Sequence, residues 1–351
     1  MAEAMSQADI RQQVALRQER AVRAQVASVE SRYTYVRPLM GAAMDLIDWM
    51  SNTEGRLMFG LPEIDAALRG IARGELCYLT GRAHSGKTQV VLHMIHANPK
   101  GRYLYFTPDE VDNLVLCKLI ALVHGVNAER LEERMRDRND ERVRRLVQGT
   151  ASEFFPNLIV LDQALTFDQM TVALHEAEDY WGERCDGVIV DYLDLLPGDS
   201  TFDGTKGKST HLKRWVKRSK VATVCIHQPK RGGAQRGERI GMDDMNMGGE
   251  TEATFVLGVY RKRDDLYSGQ AFMHQDTISV NIDKNKRPPC HVGEFDYFMD
   301  PHTGAIRPLA PGDLVAPGVP IFTLAEAAGA RRNRRLPDTD GVIELAEHRP
   351  A

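Results

Sequence analysis

Eight residues constrain this chain more than any others: Gly81-Arg82-Ala83-His84-Ser85-Gly86-Lys87-Thr88, which fit G-x-x-x-x-G-K-[ST] at every position. The glycines let the backbone curl so that successive N–H groups turn inward on phosphate oxygens, and a following helix adds its positive end. In such a loop Lys87 reaches the β and γ phosphates, and the Thr88 hydroxyl is a ligand for Mg²⁺. Context separates a working loop from a chance glycine turn. Here Leu76-Cys77-Tyr78-Leu79-Thr80 reads as a strand, and Lys87 to Ala97 as a helix stopped by Asn98-Pro99-Lys100-Gly101. That order is the one phosphate binding needs. The ligands it predicts are ATP and Mg²⁺, with His84 a solvent-facing passenger.

Around the loop, from Gly55 to about Pro308, short apolar runs alternate with amphipathic stretches. Strands are predicted at Tyr103 to Phe106, Leu158 to Leu161, Gly187 to Asp191 and Ala222 to Ile226, and later at Thr254 to Tyr260, Thr277 to Ile282 and His291 to Phe298. Helices are predicted over Val111 to His124, Phe167 to Tyr180 and Thr210 to Lys220, with the charged stretch Glu129 to Arg145 as a solvated helix. This pattern predicts an α/β fold with a mostly parallel central sheet flanked by helices. Residues 1–54 are too poor in apolar side chains to build a core, and read as a helical arm that lies on the main domain or docks on a neighbouring subunit. Residues 309–351, rich in Pro, Ala, Gly and Arg, read as a partly disordered tail.

The five cysteines lie far apart without a CxxC pair, which favours buried structural thiols over a metal site or disulfides. No apolar run approaches a membrane span; Leu57 to Leu68 is broken by Pro62, Glu63 and Asp65. The first residues lack a secretory signal, so the expected location is the cytoplasm. A net charge of −4 gives no global basic field, although a local basic loop would suffice for a nucleic acid.

Three further strand ends carry polar groups. Val188-Ile189-Val190-Asp191 places a carboxylate where phosphate-loop enzymes orient Mg²⁺. Phe106-Thr107-Pro108-Asp109-Glu110 offers two carboxylates that could activate water, and the longer Glu110 is preferred over Asp109. Val224-Cys225-Ile226-His227-Gln228 ends in Gln228, a candidate γ-phosphate sensor.

Together these segments resemble the C-terminal motor domain of DnaB-type replicative helicases, in the RecA-like phosphate-loop ATPase superfamily. Phe59-Gly60-Leu61-Pro62-Glu63-Ile64-Asp65, Ile189-Val190-Asp191-Tyr192-Leu193-Asp194-Leu195 and Cys225-Ile226-His227-Gln228-Pro229-Lys230-Arg231 each look like a motif of that family. So do Gly248-Gly249-Glu250-Thr251-Glu252-Ala253 with the strand to Tyr260-Arg261, and Asp283-Lys284-Asn285-Lys286-Arg287-Pro288-Pro289. The resemblance implies a RecA-like core and a ring of identical subunits, six in number. It implies ATP bound between subunits, with Lys286 or Arg287 reaching a neighbour's nucleotide.

The departures are that Lys286 stands where the family has Arg, that Asn246 replaces a basic residue, and that the family's glutamate falls between Asp109 and Glu110 by one position. They suggest a divergent member of phage or plasmid type.

Two loops are implied to face single-stranded DNA. Pro197 to Lys208 carries Lys206 and Lys208; Pro229 to Met247 carries Lys230, Arg231, Arg236 and Arg239 among glycines. Lysine, arginine and glycine without aromatics suit a mobile segment that follows phosphates rather than stacks on bases. The expected activity is ATP-driven translocation or unwinding in DNA replication, with other replication proteins as further partners. Two rivals share the core chemistry: a filament-forming recombinase or strand-annealing ATPase, and an ATPase acting on a protein partner.

Overall fold

The structure is a computed structural model that describes residues 7–32, 38–51, 55–136, 140–198, 202–229, 239–245, 252–261, 263–264, 272–273 and 277–310. The chain divides into two units, Met1–Gly55 and Arg56–Ala351.

The first unit holds helices α1 (Gln7–Arg32) and α2 (Leu39–Ser51). Helix α1 is polar around its circumference and carries a Glu19–Arg23 pair one turn apart. Helix α2 is apolar, and Leu39, Met40, Leu46, Ile47 and Met50 are exposed on it.

The second unit is built on one nine-stranded sheet, in the order β11-β10-β9-β6-β1-β5-β4-β2-β3. Its strands are β1 (Leu76–Thr80), β2 (Tyr103–Phe106), β3 (Leu158–Leu161), β4 (Gly187–Val190), β5 (Ala222–His227) and β6 (Phe255–Tyr260), all mutually parallel. Then β9 (Thr277–Asn285), β10 (Gly293–Met299) and β11 (Ile306–Pro308) extend it antiparallel. The short pair β7 (Arg263–Asp264) and β8 (Phe272–Met273) forms a separate ribbon.

Helices precede or connect the parallel strands: α3 (Pro62–Leu68), α4 (Lys87–Ala97), α5 (Asp112–His124), the pair α6 (Ala128–Met135) and α7 (Glu141–Gly149), α8 (Phe167–Trp181), and α9 (Phe202–Ser219) before β5. Because the central strands are covered on both faces, they read as unbroken apolar runs rather than alternating ones. Successive residues still face opposite layers. Cys77, Leu79, Tyr103 and Tyr105 pack with Val90, Val91, Met94 and Leu119 of α4 and α5; Leu76, Tyr78, Leu104 and Phe106 pack with Met170, Leu174, Leu212 and Val216 of α8 and α9.

Two sequence expectations change here. The charged stretch is two helices, because Asp140 caps α7 by accepting from the N–H groups of Arg142 and Val143. Helix α9 begins at Phe202 rather than Thr210, which turns most of the expected loop Pro197 to Lys208 into helix. Cys77, Cys185 and Cys225 are buried, whereas Cys290 is exposed. No described helix is long and apolar enough to cross a membrane. The tail from residue 311 lies outside the described residues.

Candidate nucleotide site

The parallel strands β1, β4, β2 and β5 end on the same edge of the sheet, so the polar groups that follow them converge. The phosphate loop leaves β1 and enters α4 at Lys87. Its conformation explains its glycines. A Cβ on Gly81 would lie 2.4 Å from the carbonyl oxygen of Val259, and Gly86 has φ +98°. His84 is exposed, as expected of a passenger.

Lys87 is only 8% exposed, and its Nζ donates to the Arg82 carbonyl at 2.8 Å. Burial lowers its pKa to about 8, against the pull of Asp191 and Asp109, which favour the charged form. A bound polyphosphate would add the anionic partner that this ammonium lacks. The Ser85 Oγ and the Gln89 Nε2 are buried with no hydrogen-bond partner among the described residues. Both belong to the loop and the first turn of α4, where phosphate oxygens would satisfy them.

Asp191 follows β4 and is buried. One of its oxygens, Oδ2, accepts from the Thr88 hydroxyl at 3.0 Å and from the Tyr105 hydroxyl at 2.9 Å. Burial raises the Asp191 pKa, and these two hydrogen bonds oppose the rise. Among the described residues no cluster of three or more His, Cys, Asp or Glu exists to cage a metal. The Thr88 hydroxyl and the Asp191 carboxylate, adjacent at 3.0 Å, are the one or two protein oxygens that Mg²⁺ would use beside phosphates and water.

A cleft of about 670 Å³ runs along this edge. It is lined by the loop, by Asp109, Glu110 and Asp191, by Gln228 and Arg261, and on another wall by the turn Met299 to Gly304 between β10 and β11. The two candidate carboxylates differ. Glu110 is engaged by Lys118 of α5, through Oε2 at 2.6 Å and also through Oε1. Asp109 is exposed and has no hydrogen-bond partner among the described residues. Lys118 and the 299–304 turn carry no sequence motif, and the motif segment that ends at Tyr260-Arg261 assigns Arg261 no role of its own. The one available signal is that Arg261 is the cation closing a strand beside the loop.

The predicted basic residues separate into distinct groups. Lys286 is exposed just after β9, on the edge of the sheet opposite the phosphate loop. Arg287, the other finger candidate, is held within its own chain. It is 5% exposed, its Nε donates to Glu75 Oε1 at 3.0 Å, its Nη2 pairs with Glu75 Oε2, and its Nη1 donates to the Leu68 carbonyl at 2.8 Å. Lys208 lies on α9 rather than in a loop, is 6% exposed and donates to the Asp194 carbonyl at 3.0 Å. Lys206 is exposed on the same helix. Arg239 is exposed and paired with Asp283 at 2.9 Å. Lys230, Arg231 and Arg236, together with Asn246 and the motif segment 248–251, lie outside the described residues.

The family model described as DnaB-like helicase C terminal domain matches residues 57–301. The chain belongs to this family. It is a DnaB-like helicase ATPase domain of the RecA-like superfamily, implicated in replication-associated, nucleic-acid-dependent ATP hydrolysis. Among solved structures, an isolated ATPase domain aligns with a TM-score of 0.65 and 20% identity, over 78% of this chain and 99% of that one. A DnaB-like replicative helicase, described with its interactions with primase, gives 0.63 and 18% identity, over 84% of this chain and 76% of that one. These two likenesses establish the α/β fold. No curated protein matches the sequence.

Proposed function

We propose that this DnaB-like domain is the motor of a ring, six subunits round, that hydrolyses ATP to move along single-stranded DNA. The observation that carries the reading is the convergence of Lys87, Thr88, Asp191, Asp109 and Gln228 on one cleft, from neighbouring strand ends. Lys87 and the loop N–H groups hold the β and γ phosphates. Thr88 and Asp191 would hold Mg²⁺, which would neutralise charge on the phosphates. Asp109, rather than Glu110, places the attacking water, because Glu110 is already engaged by Lys118. Gln228, exposed at the end of β5, meets the γ phosphate and passes its state to the segment that follows. That segment, Lys206 and Arg239 supply the cations that contact the DNA backbone. The 299–304 turn holds the nucleoside end.

Hydrolysis by the purified chain should rise on adding single-stranded DNA, fall with salt, and vanish in Lys87→Ala. Steady-state phosphate release measures all three. A rate indifferent to DNA would instead favour an ATPase acting on a protein partner.

A further inference from the structure

Tyr105 sits in the middle of β2, fully buried, and its ring packs in the core layer shared with α4 and α5. A phenylalanine would fill that space equally well, and the next residue, Phe106, does so in the opposite layer. What the phenol adds is one hydroxyl in an apolar surrounding, where an unpaired polar group is costly. That hydroxyl donates to Asp191 Oδ2 at 2.9 Å. Asp191 is pinned by its backbone as well, since its N–H donates to the Phe106 carbonyl at 2.8 Å. Tyr105 therefore reaches the end of β4 from the adjacent strand β2.

We propose that Tyr105 is a positioning residue for nucleotide hydrolysis, whose buried hydroxyl fixes the Asp191 carboxylate for the Mg²⁺ that accompanies ATP. The proposal rests on the reading of Thr88 and Asp191 as the cation site. Two hydroxyls converge on Oδ2, and this sets the rotation of the carboxylate and leaves Oδ1 to face other partners. The two donors are not equivalent. Thr88 would also be called on as a ligand of the cation, while its hydroxyl donates to Asp191. Tyr105 has a single proton to give and gives it to Asp191, and its ring is held by the core before and after loading. It acts as a fixed donor that preorganises an anionic ligand without entering the metal's own shell.

The test is Tyr105→Phe in the full chain, with a fluorescent ATP analogue titrated first in EDTA and then at graded MgCl₂. Affinity in EDTA should stay within about twofold of wild type, while the half-saturating Mg²⁺ concentration rises about tenfold, the worth of one hydrogen bond to a charged group. An Asp191→Ala background completes the cycle: with the carboxylate gone, Tyr105→Phe should leave the Mg²⁺ curve unchanged. Superimposable Mg²⁺ curves for wild type and Tyr105→Phe overturn the proposal. So does an equal loss with and without Mg²⁺, which marks a purely structural role. If Asp191→Ala by itself leaves the Mg²⁺ increment intact, the underlying reading of the cation site fails, and the failure is visible as such.

Discussion

Asp109 and Glu110 are adjacent acidic residues at the mouth of one cleft, and their surroundings assign them different work. Glu110 has the Lys118 ammonium on both oxygens, which holds the carboxylate toward α5. Asp109 contributes to holding Lys87 protonated and has no ion pair of its own among the described residues. Asp109→Asn should therefore keep ATP binding and lower turnover by about 10²- to 10⁴-fold, the range for a lost general base. Glu110→Gln should change turnover far less. Nucleotide affinity and steady-state hydrolysis, measured on both variants, decide between them; the reverse ranking would show that Glu110 leaves Lys118 when nucleotide binds. Sequence alone does not separate the pair. Side-chain length favours Glu110, and the residue that occupies it, Lys118, lies about two helical turns further on, where no motif points. The same blindness puts Arg287 and Lys208 among the functional cations. A buried Arg–Glu pair and a lysine folded back on a carbonyl look, in sequence, like any exposed basic residue.

At the scale of elements, the parallel half of the sheet is legible because its strands are buried on both faces, and runs such as Leu76-Cys77-Tyr78-Leu79 have no other use. The convergence of their polar ends then follows from parallel pairing alone. The start of α9 is not legible. Gly204 and Gly207 lower its helical propensity, and it forms because Lys208 and Leu212 are held by the core behind them. The turn between β10 and β11 is equally silent, since its role comes from where the antiparallel extension delivers it. Its shape is well defined: Asp300 Oδ1 accepts from the His302 N–H at 2.8 Å, and Gly304 at φ +74° lies so close to Gln89 that a Cβ would meet it at 2.1 Å. The His302 Nδ1 meets the Asn127 amide at 3.2 Å, which ties the turn to the start of α6. If this turn receives the nucleoside end, His302→Ala should weaken ATP binding about fivefold and leave pyrophosphate binding unchanged, within the energy of one side-chain contact. Calorimetric titration of the two ligands makes the comparison. Equal loss of both would return the turn to a purely structural role.

For the whole molecule, the position of Lys286 decides how many chains one active site needs. The last residue of β9, Asn285, pairs with Phe255, the first residue of β6, and the Lys286 N–H donates to the Thr254 carbonyl just before it. Strands β6 and β1 are parallel, so Lys286 emerges at the end where β1 begins, while the phosphate loop emerges where β1 finishes. The strand β1 between them spans five residues, which separates the two ends by roughly 17 Å, further than a lysine side chain can span. Lys286 cannot serve the loop of its own chain. Its neighbours are Lys213 and Lys217 of α9 together with Glu75 and Glu252: burial lowers the pKa of Lys213, Lys217 and Lys286 lower it further, and the two carboxylates oppose the fall. Such a cluster suits the polyphosphate of an adjacent subunit, where the interface excludes water and each charge counts for more. Lys286→Ala should then bind ATP normally and hydrolyse it slowly. Arg287 must be left in place for this test, because its loss would leave the half-buried Glu75 carboxylate without its cation. Mixing Lys286→Ala with Lys87→Ala should recover part of the activity, since one class of mixed interface joins an intact loop to an intact finger. The recovery should appear only after subunits exchange and should peak at an intermediate ratio, because the productive interface needs one chain of each kind. If Lys284 to Arg287 were only a surface turn, Lys286→Ala would hydrolyse ATP at the wild-type rate. Activity in the mixture would then fall in simple proportion to the added Lys87→Ala.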